Sequence, residues 1–128
     1  LPVAGGAYVL SLRLPRAAIL PIARLGNPGL GPGRYLYCGS AYGPGGLRAR
    51  LRRHLAVDKP AHWHVDHLRR IAELDDLLAL PGGNECDLVA RFAALPGTAY
   101  PLPGFGSSDC RRCTAHLLAV ADDLPLRP

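Results

Sequence analysis

Apolar and polar residues change their spacing several times along the chain, and each change marks an element. Residues 5 to 14, GGAYVLSLRL, alternate in part and are rich in strand formers, so a first strand is expected there, with Tyr8 near its beginning and Pro15 ending it. A second extended stretch over residues 18 to 25 is interrupted by Pro21, which has no N–H to give to a ladder, so it reads as an edge or a bulge. GNPGLGPG, residues 26 to 33, is a long turn into a further strand, where Tyr35, Leu36 and Tyr37 favour a pleat and the two tyrosines share a side. Residues 39 to 46 carry too much Gly and Pro to continue it, and a helical period starts at Leu47.

At about 100° per residue, Leu47, Leu51 and Leu55 form one apolar stripe, Arg48, Arg52 and Arg53 point away from it, and Arg50 and His54 lie on its border. Taken alone, the two border residues read as side chains that snorkel or pair with a backbone carbonyl. What precedes them changes that. A tyrosine ending a strand, a glycine two residues on, and an Arg and a His on the inner edge of the next helix can converge on one pocket, and such a pocket suits a phosphodiester.

In DKPAHWHVDHLRRIAEL, residues 58 to 74, His62 and His64 alternate as in an extended segment, whereas His64 and His67 share a face if a helix begins near Trp63. Two of these histidines with Asp66 would form a facial metal set, but nothing fixes a third ligand, and beside basic residues the histidines better suit phosphate contacts. Trp63 is expected to anchor this segment in the core. Residues 71 to 80 read as a strand closed by Pro81, Gly82 and Gly83, and Asn84 can cap a helix over residues 85 to 95 whose buried stripe is Leu88, Phe92 and Leu95. Glu85 and Asp87 in its first turn are favourable partners of the helix dipole. A last strand is expected over residues 115 to 120. The expected fold is a single α/β domain over residues 1 to 128: a small, mainly antiparallel sheet of three to five strands flanked by the Arg50 helix and the Glu85 helix.

A chain of 128 residues can bury a core without disulfides or metal. Of its 15 Lys and Arg residues only Lys59 is lysine, and the net charge of +5 suits a polyanionic partner. A bias toward Arg, Leu, Gly, Pro and Ala codons would give a similar total, so the placement of the charge says more than its sum. No apolar run approaches the ~20 residues of a membrane span and no basic-then-apolar leader opens the sequence, so a cytoplasmic location is expected. Cys38, Cys86, Cys110 and Cys113 are then expected to be reduced thiols or metal ligands. Cys110 and Cys113, with His116 and Cys86, have the spacing of a zinc set; the alternative is cysteines packed against the sheet. Arg111 and Arg112 add positive charge beside them, and Ser107, Ser108 and Asp109 suit phosphate or the water shell of a metal.

Several of these segments resemble a known family. Gly6-Ala7-Tyr8 and Tyr37-Cys38-Gly39 are similar to the two halves of the GIY-YIG nuclease signature, and Leu47, Arg50 and His54 match its L-x-x-R-x-x-x-H helix. GAYVL, GRYLYCGSAYGPGGL, HWHVDHL and GFGSSDCRRC together resemble the stand-alone GIY-YIG-like family often labelled endonuclease III-related. The segment between the two tyrosine motifs is longer than the tight hairpin of typical members, so substrate preference does not carry over. The resemblance implies a metal-dependent endonuclease acting on nucleic acid, DNA rather than RNA, with Tyr8 as general base on a water, oriented by Tyr37. It implies Mg²⁺ or Mn²⁺ on Glu85, charge neutralisation by Arg50 and a proton relay through His54. Arg48, Arg52, Arg53, His62, His64, Arg111 and Arg112 are the candidates for nucleic-acid contacts. The alternatives are a binding module without turnover that guides a DNA repair partner, and a zinc-stapled adaptor using Cys86, Cys110, Cys113 and His116.

Overall fold

The structure, a computed structural model, describes residues 3–56, 63–106 and 114–127. In chain order the strands are β1 (Gly6–Leu14), β2 (Ala18–Ile19), β3 (Gly29–Leu30), β4 (Gly33–Ser40), β5 (Glu73–Pro81) and β6 (Leu117–Val120). The helices are α1 (Gly46–Leu55), α2 (His64–Arg69) and α3 (Glu85–Ala93). Four strands form one sheet in the order β5-β1-β4-β6, with each neighbouring pair antiparallel, and β2 pairs with β3 in a separate ribbon. The chain is therefore an α/β protein with a mainly antiparallel sheet.

β1 runs through the middle of the sheet, so both of its faces are covered and its apolar residues divide by parity. Tyr8, Leu10, Leu12 and Leu14 face a core that contains Tyr35 and Tyr37 of β4, Leu47 and Leu51 of α1, and Val65 and Leu68 of α2. Ala7 and Val9 face the other way, onto Leu36 and Cys38 of β4 and Leu88, Val89 and Phe92 of α3. α1 and α2 thus cover one face of the sheet and α3 covers the other.

Several boundaries differ from the sequence expectation. Residues 18 to 25 do not form one extended stretch: after the two residues of β2 the chain makes a short 3-10 turn, Ala23–Leu25, closed by Gly26 at a left-handed φ of 78°. The turn that follows contributes β3. β5 begins at Glu73 and β6 at Leu117, each two residues later than expected from the apolar run. α3 stops at Ala93, which leaves Leu95 37% exposed, and Cys86 and Val89 join Leu88 and Phe92 on its buried side. Among the described residues no helix is long and apolar enough to cross a membrane.

Candidate active site

The antiparallel register of β1 and β4 sets Tyr8 opposite Gly39 and Leu10 opposite Tyr37. A Cβ at position 39 would run into the Tyr8 ring, so the glycine is what lets that ring lie across β4. α1 then crosses above the two tyrosines and brings His54 down onto them. Tyr8 Oη and His54 Nε2 are 2.7 Å apart. The Tyr8 ring centroid is 5.3 Å from that of His54 and 6.4 Å from that of Tyr37. The buried stripe of α1 is Leu47, Leu51 and His54, while Leu55, expected in it, is 48% exposed. The helical period explains the exchange, because positions 47, 51 and 54 fall within an arc of about 60° and position 55 lies beyond its edge.

Arg50 lies over this group. Its Nη1 donates to the Ser40 carbonyl at 2.9 Å, and its guanidinium is within hydrogen-bonding reach of the Tyr8 hydroxyl. Arg53, expected on the open face of α1 with Arg48 and Arg52, is not there. Its guanidinium makes a two-armed pair with Asp66, both N···O distances being 2.8 Å. Asp66 is only 1% exposed and also accepts the Trp63 backbone N–H at 3.0 Å, which caps α2. Trp63 is half-buried and packs against the core beside His54, and its other face takes the arginines: the Arg50 and Arg53 guanidinium carbons stand 4.3 and 4.0 Å from its ring centroid, so one indole orders two cations. Arg50 and Arg53 line a small open cleft of about 160 Å³, shared with Ala41, Gly43, Pro44, Gly46 and Ala49. Arg48 and Arg52 are exposed.

Burial dominates the electrostatics. It pushes the Tyr8 phenol up to about 12, against the opposing charge and hydrogen bond of Arg50. It raises Tyr37 as well, with the neighbouring Tyr8 adding to the shift. A phenol with a pKa near 12 keeps its proton at pH 7, and with His54 in its Nδ1–H tautomer the Tyr8 O–H donates to His54 Nε2 while its oxygen can accept from Arg50. The resulting chain, from Arg50 through Tyr8 to His54, joins a fixed positive charge to a proton acceptor.

The other predicted residues lie elsewhere. His64 Nδ1 accepts the Gly106 backbone N–H at 2.9 Å and its ring meets Phe105, with burial holding its pKa below the ordinary value. With Asp66 committed to Arg53 and to the cap of α2, the facial metal set of histidines and Asp66 does not assemble among the described residues. His62, Cys110, Arg111, Arg112 and Cys113, together with Ser107, Ser108 and Asp109, lie outside the described residues. Glu85 opens α3, on the face of the sheet away from α1, behind the Asn84 cap that accepts the Cys86 and Asp87 N–H groups. A Glu85 carboxylate oxygen, Cys86 Sγ and a His116 ring nitrogen all lie within 4.8 Å of one another, with Cys86 Sγ 4.0 Å from His116 Nε2. Mg²⁺ and Mn²⁺ prefer oxygen ligands, so a set holding a sulfur and an imidazole does not fit the cation expected on Glu85. Cys38 is a free, buried thiol, but Cys86 is disulfide-bonded, which departs from the expectation of reduced thiols.

The stacking of two arginines on Trp63 and the pairing of Asp66 with Arg53 were not expected from the sequence. An acid three residues after a candidate helix start was the available signal for a capping role.

A family model described as "Domain of unknown function DUF123" matches residues 7–127. No curated protein and no solved structure matches the chain.

Proposed function

We propose that this chain, which belongs to the DUF123 family, cleaves phosphodiester bonds of nucleic acid at the Tyr8–His54–Arg50 group, the endonuclease activity that its GIY-YIG resemblance implies. The observation that carries the reading is the 2.7 Å contact between Tyr8 and His54 under the Arg50 guanidinium, beside a cleft lined by two arginines. In this mechanism the scissile phosphate occupies the cleft and Arg50 and Arg53 offset the charge that builds on its oxygens. Attacking water gives its proton to the Tyr8 oxygen as Tyr8 passes its own proton to His54 Nε2; the new P–O bond forms as the bond to the leaving oxygen breaks, and that oxygen takes a proton from solvent. A relay of this kind never needs a free phenolate, which a pKa of about 12 would make scarce at neutral pH. Tyr37 packs against both rings and fixes their orientation. The GIY-YIG resemblance also implies Mg²⁺ or Mn²⁺, but the donors beside Glu85 do not suit either ion, and the steps above use only protein groups.

One observation favours a second reading, a nucleic-acid-binding module without turnover, perched on the same cleft and suited to a DNA repair partner. Tyr8 is 1% exposed and His54 is fully buried, so neither group is open to solvent. Labelled single-stranded, duplex and branched DNA and RNA, incubated with Mg²⁺, Mn²⁺ or chelator, separate the two. Turnover by wild type that falls at least ~100-fold in Tyr8→Phe, with binding kept, supports the nuclease. Binding without cleavage of any substrate supports the module, and a protein that neither binds nor cuts overturns both readings.

A further inference from the structure

The cluster at the start of α3 stands apart from the arginine cleft, on the other face of the sheet, and the phosphodiester reading does not use it. Its three donors come from two elements. Glu85 and Cys86 are consecutive residues in the first turn of α3, and His116 immediately precedes β6. Backbone bonds fix His116 on both sides: its N–H donates to the Phe105 carbonyl at 2.8 Å and its carbonyl accepts the Cys38 N–H at 2.9 Å. Cys86 and His116 are both buried, 7% exposed each, so the sulfur and the ring are held in place before any ligand arrives. The chemistry is mixed: one carboxylate oxygen, one sulfur and one imidazole nitrogen, within 4.8 Å of one another. Such a set suits a borderline cation in a tetrahedral site, with a fourth position for water or a further ligand. It suits neither Mg²⁺ nor Ca²⁺, which take oxygen donors.

We infer that Glu85, Cys86 and His116 form a zinc site that exists only in the reduced protein, so that zinc and the Cys86 disulfide are alternative states of one place. A disulfide sulfur is not a zinc ligand; a thiolate is. A phosphine reductant gives two electrons to the S–S bond, becoming phosphine oxide with oxygen from water, and two protons complete the Cys86 thiol and its partner thiol. Zinc binding then displaces the Cys86 proton to solvent. The bound ion would tie α3 to the β6 edge of the sheet.

The test uses the full chain without metal, oxidised or reduced with a phosphine, titrated with Zn²⁺ alone or with Co²⁺ as a spectroscopic stand-in. The reduced protein should bind a single ion, show a sulfur-to-cobalt charge-transfer band and melt higher with zinc, and the oxidised protein should do none of these. His116→Ala and Cys86→Ser should each weaken zinc by at least the ~10- to 100-fold that loss of an outer-shell partner costs. Cys86→Ser should also abolish the band. Because oxidised and reduced wild type share one sequence, the comparison stands even if a variant folds poorly. Equal zinc uptake by both redox states, uptake by reduced wild type without the cobalt band, or displacement of zinc by millimolar Mg²⁺ would each overturn the assignment.

Discussion

Replacing Arg53 with Met keeps the aliphatic stem but removes both guanidinium donors that face Asp66. Asp66 is 1% exposed and both of its oxygens meet the guanidinium at 2.8 Å, so the variant takes a two-armed salt bridge away from a buried carboxylate. Breaking a buried pair from one side costs about 3–5 kcal/mol. The Arg53 side chain is 23% exposed, which lets water screen part of that cost and places the expectation near 3 kcal/mol, with less than about 1 kcal/mol more from the lost stacking on Trp63. For a domain of this size that is a large share of a typical stability and a fall in Tm of roughly 10 °C. The sequence has one tryptophan, and it is the residue on which Arg53 stacks, so urea unfolding followed by Trp63 fluorescence reads the perturbed place itself. Arg52→Met, on the exposed side of the same helix, should stay within about 0.5 kcal/mol of wild type. Adding Asp66→Asn to Arg53→Met should recover part of the loss, because the uncompensated charge goes with it. A loss below about 1 kcal/mol for Arg53→Met, or no difference from Arg52→Met, would refute the reasoning that this arginine serves the fold as well as the cleft.

Two further outcomes follow from the same geometry. The Tyr8 pKa rises from 10 unfolded to about 12 folded, so its contribution is complete below pH 10 and is lost as pH rises through 12; Tyr8→Phe should remove roughly 2 kcal/mol of that alkaline loss in denaturation curves at pH 9 and 12, and an identical pH dependence in the variant would contradict the buried, protonated phenol. Arg48→Gln with Arg52→Gln should weaken nucleic-acid binding similarly across sequences and lower its salt slope by up to ~2, and an unchanged slope would take the exposed side of α1 off the binding face.

The parts of this arrangement that were legible in the sequence are those that depend on one period or one register. The tyrosines of β1 and β4 share a face because strand residues alternate, and Arg50 and His54 project toward them because α1 repeats every 3.6 residues. The Asn84 cap was legible too, since a polar residue before an apolar helical run has few other uses. Arg53 was not, because the helical wheel alone puts it toward solvent; what it meets is set by α2, whose docking over the end of α1 depends on packing between segments. The same reason hid the role of Trp63. For Glu85 the local sequence gave its place at a helix start but not the face of the sheet that helix would cover, and that face decides which chemistry the carboxylate can join.

Adjacent residues of β4 serve opposite faces, and this is how one strand borders both places. Tyr37 points to His54 and Tyr8, while Cys38, the next residue, packs under α3, where burial and the nearby Glu85 push its thiol up to about 12. The segment before β6 joins them. Phe105 is fully buried, its ring meets Tyr37 at 6.3 Å and His64 at 5.5 Å, and its carbonyl accepts the N–H of His116. Gly106, at a φ of 71°, passes close to the Tyr37 ring and the His116 Cβ, where a side chain would crowd both. A shift of His116 would therefore be felt by Phe105 and Tyr37 through packed atoms rather than through charge. The Tyr8–His54 pair lies one ring further on, so contiguous packed side chains run from the start of β6 to the tyrosine face of the sheet.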